Sequence, residues 1–75
     1  MKVVILGAGG HGQVVADMIA AGARVGDDVL ELAGFLDDDP ALSGAEVDGA
    51  PVLGGLASAG RMAVDAFVVA IGRNS

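Results

Sequence analysis

The chain has 75 residues and a formal net charge of −6, from ten acidic and four basic side chains. This length allows one small domain, and the acidic balance excludes binding of nucleic acids or anionic membranes through a basic surface. The lack of cysteine excludes disulfides, a thiolate nucleophile and a zinc–thiolate site, and the single histidine excludes an all-histidine metal site.

The first predicted elements are a strand, a glycine turn and a helix. The β-branched run Lys2–Leu6 is typical of a strand buried on both faces of a parallel sheet. It is too short for a secretory signal, and no stretch reaches the roughly 18 apolar residues of a membrane helix. We therefore expect a soluble protein, by default cytoplasmic. The helix after the turn is expected to stop near Gly22. Its predicted apolar stripe consists of Val14, Val15, Met18 and Ile19.

The rest of the chain predicts two further buried strands, at residues 30–36 and 66–72, and a polar loop at residues 23–29. Between these strands the glycine- and proline-rich stretch 40–55 has no helical period. It contains a D-G turn signal at Asp48–Gly49 and a short extended piece at residues 50–53. Residues 56–65 can form a short helix, which Gly60 weakens.

Together these elements predict an α/β chain with a Rossmann-like βαβ parallel sheet of about three strands. The third strand can lie beside the first or the second. Because a strand ending at Gly72 normally leads into another helix, the domain is expected to be truncated. Such a thin sheet leaves an apolar face uncovered, which predicts association or low stability.

The glycine turn carries the main functional signal. Gly7, Gly9 and Gly12 fit the spacing G-x-G-x-x-G between a strand and a helix. In that arrangement the first glycine allows the bend, the second lets a phosphate approach and the third allows close helix packing. The helix N-terminus then attracts an anion. The alternative is a tight turn without a ligand. His11 is either a donor to a phosphate or sugar, or an exposed polar residue.

Three aspartates follow the second predicted strand. An acid at this position in a dinucleotide-binding fold accepts hydrogen bonds from ribose hydroxyls, which favours a ligand role for Asp37. The cluster would repel a 2′-phosphate, which disfavours NADP. We interpret Asp39 as a solvated loop residue, leave Asp38 open, and disfavour a metal site because adjacent aspartates supply no fixed cage. Arg73, after the last strand, is a better anion partner than Arg61.

No catalytic constellation is present. The serines lack the G-x-S-x-G context, and His11 has no nucleophile beside it. Three hypotheses remain: a nucleotide-sugar-binding domain, a small NAD-binding domain of an oxidoreductase or redox-sensing module, and a structural domain without a ligand. The irregular stretch after the second strand favours the first, because an NAD domain usually has a crossover helix there.

Four motifs occur in order with compatible gaps: "VVILGAGGHGQVVADMI", "GFLDDDP", "VDGAPVLGG" and "FVVAIG". With these motifs the chain resembles, over essentially its whole length, the N-terminal domain of a family of sugar O- or N-acyltransferases. The family includes sialic acid O-acetyltransferase and the UDP-4-amino-sugar N-acetyltransferase of bacillosamine biosynthesis. The stretch 47–55 matches a family feature whose role is not apparent from its residues.

The resemblance implies a Rossmann-like domain, residues 1–75, that binds a UDP-sugar. In the intact protein it implies a left-handed β-helix of hexapeptide repeats that binds acetyl-CoA, supplies the catalytic histidine and forms a homotrimer. Neither the repeats nor that histidine occur in this chain, so the resemblance implies no catalytic residue and no activity here. The acylated sugar, and the choice between O- and N-acylation, stay open.

The resemblance also implies substrate-binding residues in three groups. The glycine turn would approach the diphosphate or sugar, two aspartates would lie by the uridine, and the end of the last strand would line the pocket. These residues are Gly7, Gly9, Gly10, His11 and Gly12; Asp37 and Asp38; and Ala70, Ile71 and Gly72, with Arg73 as the neighbouring anion partner.

Overall fold

A computed structural model describes residues 1–70 of the chain. In chain order its strands are β1 (Lys2–Leu6), β2 (Arg24–Val25), β3 (Asp28–Val29), β4 (Glu31–Leu36), β5 (Glu46–Val47), β6 (Ala50–Gly54) and β7 (Ala66–Val69). The helix α1 (Gly10–Ala20) follows β1, and two 3₁₀ helices span Pro40–Leu42 and Leu56–Arg61.

The main sheet has the strand order β5-β6-β4-β1-β7. Strands β6, β4, β1 and β7 are parallel, and β5 pairs antiparallel with β6 at one edge. Numbered along the chain, the four parallel strands therefore lie in the order 3-2-1-4, which is the start of the doubly wound Rossmann arrangement. The predicted α/β, Rossmann-like fold is confirmed, and the last predicted strand lies beside the first.

The stretch 40–55 contributes two strands that the sequence analysis did not count, so the sheet has five strands rather than about three. Val52 pairs with Phe35, which adds β6 in parallel to β4. The D-G turn joins β5 to β6, and its φ angles of 52° at Asp48 and 84° at Gly49 suit a type I′ hairpin turn. The predicted D-G turn and the extended piece at residues 50–53 are confirmed, but their strand pairing was not predicted.

Three further predictions differ from the structure. The polar loop at 23–29 contains a small antiparallel hairpin, β2–β3. The helix expected at 56–65 is a 3₁₀ helix that ends at Arg61, consistent with the poor helix propensity of Gly60. The last strand ends at Val69, Ala70 is irregular, and the other two residues of the predicted strand lie outside the described part of the chain.

The main core lies between α1 and one face of the sheet. Its buried members on the sheet include Val3, Ile5 and Phe35, which pack with Ala16 and Ile19 of the helix. The predicted helical stripe is therefore wrong at two of its four positions. Ile19 is buried and Val15 is half-buried, but Val14 and Met18 are 58% and 57% exposed.

The opposite face of the sheet is covered unevenly. Side chains alternate between faces along a strand, so Val4 and Leu6 point away from α1, together with their β7 partners Phe67 and Val69. Val4 is fully buried, and the second 3₁₀ helix contacts the neighbouring strand β4. At the β7 edge, in contrast, Phe67 is 37% and Val69 is 71% exposed.

Candidate functional site

The candidate site lies at the carboxyl ends of β1 and β7. These strands are neighbours. From β1 the chain continues to β4 on one side of β1, and it later returns to β7 on the other side of β1. Ligands of doubly wound folds bind at such a switch point. The Ala70 N–H donates to the Leu6 carbonyl at 2.9 Å, which places the predicted site residue Ala70 beside the start of the glycine turn. The predicted site residues Ile71, Gly72 and Arg73 lie outside the described residues.

The glycine turn has the geometry that its spacing predicts. Gly7 has a φ of 109°, a region that favours glycine. A Cβ on Gly12 would collide with the Gly7 carbonyl oxygen and lie 3.5 Å from Ile5 Cγ2. A Cβ on Gly9 or Gly10 would meet no atom within 4 Å. Gly12 therefore serves helix packing, whereas Gly9 and Gly10 border open space that a ligand can approach.

The N-terminus of α1 faces that open space. Its N-cap is Gly9, which has no side chain to accept a hydrogen bond, and the first turn contains no acidic residue. The first N–H groups of a helix have no intrahelical partners, so this end attracts an anion. His11 is exposed in the first turn, where a ring N–H can donate to the same anion.

The half-buried Asp37 connects the glycine turn to the end of β4. Its Oδ2 accepts the Ala8 N–H at 2.8 Å, and its Oδ1 accepts the Asp39 N–H at 2.9 Å. The hydrogen bond from Ala8, and to a lesser extent the one from Asp39, holds the pKa of the Asp37 carboxyl below its usual value of 3.8. Burial acts in the opposite direction. The folded chain thus favours the carboxylate form.

The other two aspartates fix the loops that follow β4 and β6. Asp38 Oδ1 accepts the Leu56 N–H at 2.8 Å, at the start of the second 3₁₀ helix. Asp39 Oδ1 accepts the Ala41 N–H at 2.9 Å and caps the first 3₁₀ helix. Asp37 thus binds the glycine turn, whereas Asp38 binds the loop that follows β6.

The glycine turn and the helix N-terminus can hold an anion, and the aspartates that follow β4 can accept hydrogen bonds. Residues 1–70 contain no group of three histidine, cysteine, aspartate or glutamate side chains placed to hold a metal ion. In the same part of the chain, no helix is long and apolar enough to cross a membrane.

Comparison with known proteins agrees with this geometry. The family model of the PglD N-terminal domain matches residues 2–75. The chain belongs to this family. PglD is an N-acetyltransferase of bacillosamine biosynthesis, and the intact enzymes of the PglD family use acetyl-CoA. The recognised resemblance is therefore confirmed. A search of curated proteins found no significant match.

In this PglD N-terminal domain the structure also explains the stretch 47–55. Its D-G pair forms the hairpin turn, its centre forms β6, and its final glycine pair lets β6 end against the aspartates. A Cβ on Gly55 would lie 2.7 Å from Asp38 Oδ1, so a side chain at this position would have to displace the Asp38 carboxylate. The pair Gly54–Gly55 after an extended segment was the available signal, and the sequence analysis did not use it.

Proposed function

We propose that residues 1–75 form the nucleotide-sugar-binding domain of an acetyl-CoA-dependent sugar acetyltransferase, and that the ligand is a UDP-sugar. The observation that carries this proposal is the open glycine turn at the switch point of a chain that belongs to the PglD N-terminal domain family. The UDP-sugar is consistent with that family. Acetyl-CoA, the catalytic histidine and the trimer contacts would belong to a left-handed β-helix outside these residues.

In this proposal the diphosphate lies against Gly9, Gly10 and the first N–H groups of α1. His11 is exposed beside them and donates a hydrogen bond to the phosphate or the sugar. The uridine lies towards the aspartates. There Asp38 has one oxygen engaged by the Leu56 N–H, and no other described residue hydrogen-bonds its Oδ2, which is suited to accept a ribose hydroxyl.

A titration monitored by NMR tests the ligand class. UDP and NAD are added separately to the 75-residue chain, and the amide signals of residues 9–12 are followed. We expect UDP to shift these signals in a saturable way, because the turn and the helix N-terminus bind the diphosphate. Shifts with NAD and none with UDP would instead support a dinucleotide-binding domain.

A pair of glycine variants locates the binding surface. Gly10→Ala places a methyl group in the open space at the helix N-terminus, whereas the exposed Gly60 has equally open surroundings away from the turn. Both variants are expected to fold, since neither Cβ meets an atom within 4 Å. UDP affinity should fall severalfold in Gly10→Ala and stay unchanged in Gly60→Ala. Equal affinities would place the ligand elsewhere.

A further inference from the structure

We propose that Asp37 is a positioning residue, whose carboxylate holds the glycine turn in its ligand-binding shape instead of contacting the ligand. This inference rests on the proposed function, because it concerns the same turn. It assigns the two adjacent aspartates different tasks: Asp37 acts through the turn, and Asp38 faces the uridine.

The hydrogen bonds of Asp37 carry the argument. Both of its carboxylate oxygens already accept a backbone N–H, one from Ala8 inside the turn and one from Asp39. Its own N–H donates to the Gly54 carbonyl at 2.9 Å, which fixes the residue between β4 and β6. A bond from a backbone N–H to a carboxylate is charge-assisted and therefore stronger than a neutral one. These two backbone donors occupy about half of the acceptor positions of the carboxylate and fix its orientation towards the turn.

The Ala8 bond fixes the part of the turn that no strand pairing fixes. The Gly7 N–H donates to the Leu36 carbonyl at 2.8 Å, and the next regular bond is from the Gln13 N–H to the Gly9 carbonyl at 3.0 Å. Between these two bonds, Asp37 is the group that binds the backbone at Ala8. A turn that is already ordered in the free protein costs less to order on binding.

The sign of the effect separates positioning from simple electrostatics. Removing a negative charge close to a bound diphosphate should strengthen binding. Removing the group that shapes the turn should weaken it. Asp37→Asn leaves one acceptor oxygen for the two N–H groups, of Ala8 and Asp39, that the carboxylate binds, and its NH2 group opposes the other. We therefore expect Asp37→Asn to lower UDP affinity roughly tenfold, the scale of one charge-assisted hydrogen bond. Asp39→Asn is the matched control, since it removes an equal charge two residues away and leaves an acceptor for Ala41. It should bind UDP as tightly as the wild type, or slightly more tightly.

A ligand without ribose hydroxyls distinguishes positioning from direct contact. Affinities for UDP and for 2′,3′-dideoxyuridine diphosphate are measured by calorimetry with the wild type and both variants. If Asp37 acts through the turn, Asp37→Asn weakens both ligands by the same factor. A loss with UDP that disappears with the dideoxy ligand would show that Asp37 contacts the ribose, and would overturn the inference. Unchanged UDP affinity in Asp37→Asn would overturn it as well.

A measurement on the unmodified chain covers the case in which Asp37→Asn does not fold. Hydrogen exchange of the Ala8 amide is compared in the free and the UDP-saturated protein. Protection of this amide should persist or rise with UDP. A loss of protection would mean that Asp37 turns away to the ligand, against the inference. If the wild type does not bind UDP at all, the proposed function itself fails, which is a distinguishable result.

Discussion

Gly12 shows how a single hydrogen atom in place of a side chain sets the position of the helix. Its α-carbon faces the Gly7 carbonyl so closely that a Cβ would collide with that oxygen and lie 3.0 Å from the carbonyl carbon. Both atoms belong to the backbone of a turn held to β4 through the Gly7 N–H. Neither can move away without disturbing the sheet, so the contact is rigid.

We therefore predict that Gly12→Ala lowers the free energy of unfolding by about 1–3 kcal/mol or more, the usual cost of overpacking a rigid site. Gly10→Ala, in the same helical turn but in open space, should change the free energy of unfolding by no more than about 0.5 kcal/mol. Urea unfolding followed by circular dichroism measures both. Equal stability of the two variants would show that the helix shifts to accommodate the methyl group.

The sequence predicted where the candidate site residues lie in the fold better than it predicted their hydrogen bonds. Glycine spacing identified Gly7, Gly9 and Gly12, and the end of a strand identified Asp37, because carboxyl ends of parallel strands share one edge. The direction of each aspartate side chain could not be predicted. It depends on which N–H groups lie within reach after folding, and the Ala8 and Leu56 donors come from segments distant in sequence.

At the scale of elements, the face of α1 was mispredicted because its pattern permits two orientations. The apolar residues at 14, 15, 18 and 19 fit one stripe by spacing alone. Close packing at Gly12 turns that side inward, and residues three, four and seven positions later then face the sheet: Val15, Ala16 and Ile19. Val14 and Met18 lie on the outer side as a result. The close-packing role that the glycine spacing assigns to Gly12 already implies this orientation of α1.

The helix and the β5–β6 hairpin meet through two acidic groups. The pKa of Asp48 is raised above its usual value of 3.8, first by a side-chain hydrogen bond with Asp17, then by the negative charge of Asp17, with a small addition from burial. A carboxyl whose pKa is higher in the folded state favours folding when protonated. Its contribution is therefore lost as the pH rises from 3.8 through the folded-state pKa.

From this sign we predict that Asp48→Asn is more stable than the wild type at neutral pH. The amide is uncharged, can donate to Asp17, and tolerates the φ of 52° at this position. The advantage should shrink as the pH falls towards 3.8, where the wild-type carboxyl becomes protonated. Thermal unfolding between pH 3 and pH 7 tests this, with Asp27→Asn in the other hairpin turn as a control for net charge. An equal gain in both variants would assign the effect to net charge alone.

For the whole molecule, the sequence established the class of fold but not the number of strands. Long apolar runs identified β1, β4 and β7, because strands buried on both faces need them. Strands β5 and β6 occupy the edge of the sheet, where the burial pattern of β6 alternates and β5 has two residues. Such short elements are stabilised by their neighbours, so the local pattern predicted an extended piece at residues 50–53 but neither β5 nor the place of both strands in the sheet.

The exposed apolar edge of the sheet predicts that the chain associates with itself. Phe67 and Val69 lie on the face opposite α1, next to the half-buried Leu6, and they are 37% and 71% exposed. A contiguous apolar surface of this kind favours association because contact removes it from water. Sedimentation velocity should therefore show a weight-average mass that rises with protein concentration.

The variant Val69→Lys should shift this association to higher concentration, because a lysine charge on that face opposes its burial. Val69 is 71% exposed, so its replacement should change stability by no more than about 0.5 kcal/mol. Met18→Lys places the same charge on the outer side of α1, where Met18 is 57% exposed, and should leave association unchanged. If Met18→Lys suppressed association and Val69→Lys did not, the helix would be the contact surface. A wild type that stays monomeric at every concentration would show that the small area of this edge is insufficient to hold two chains together.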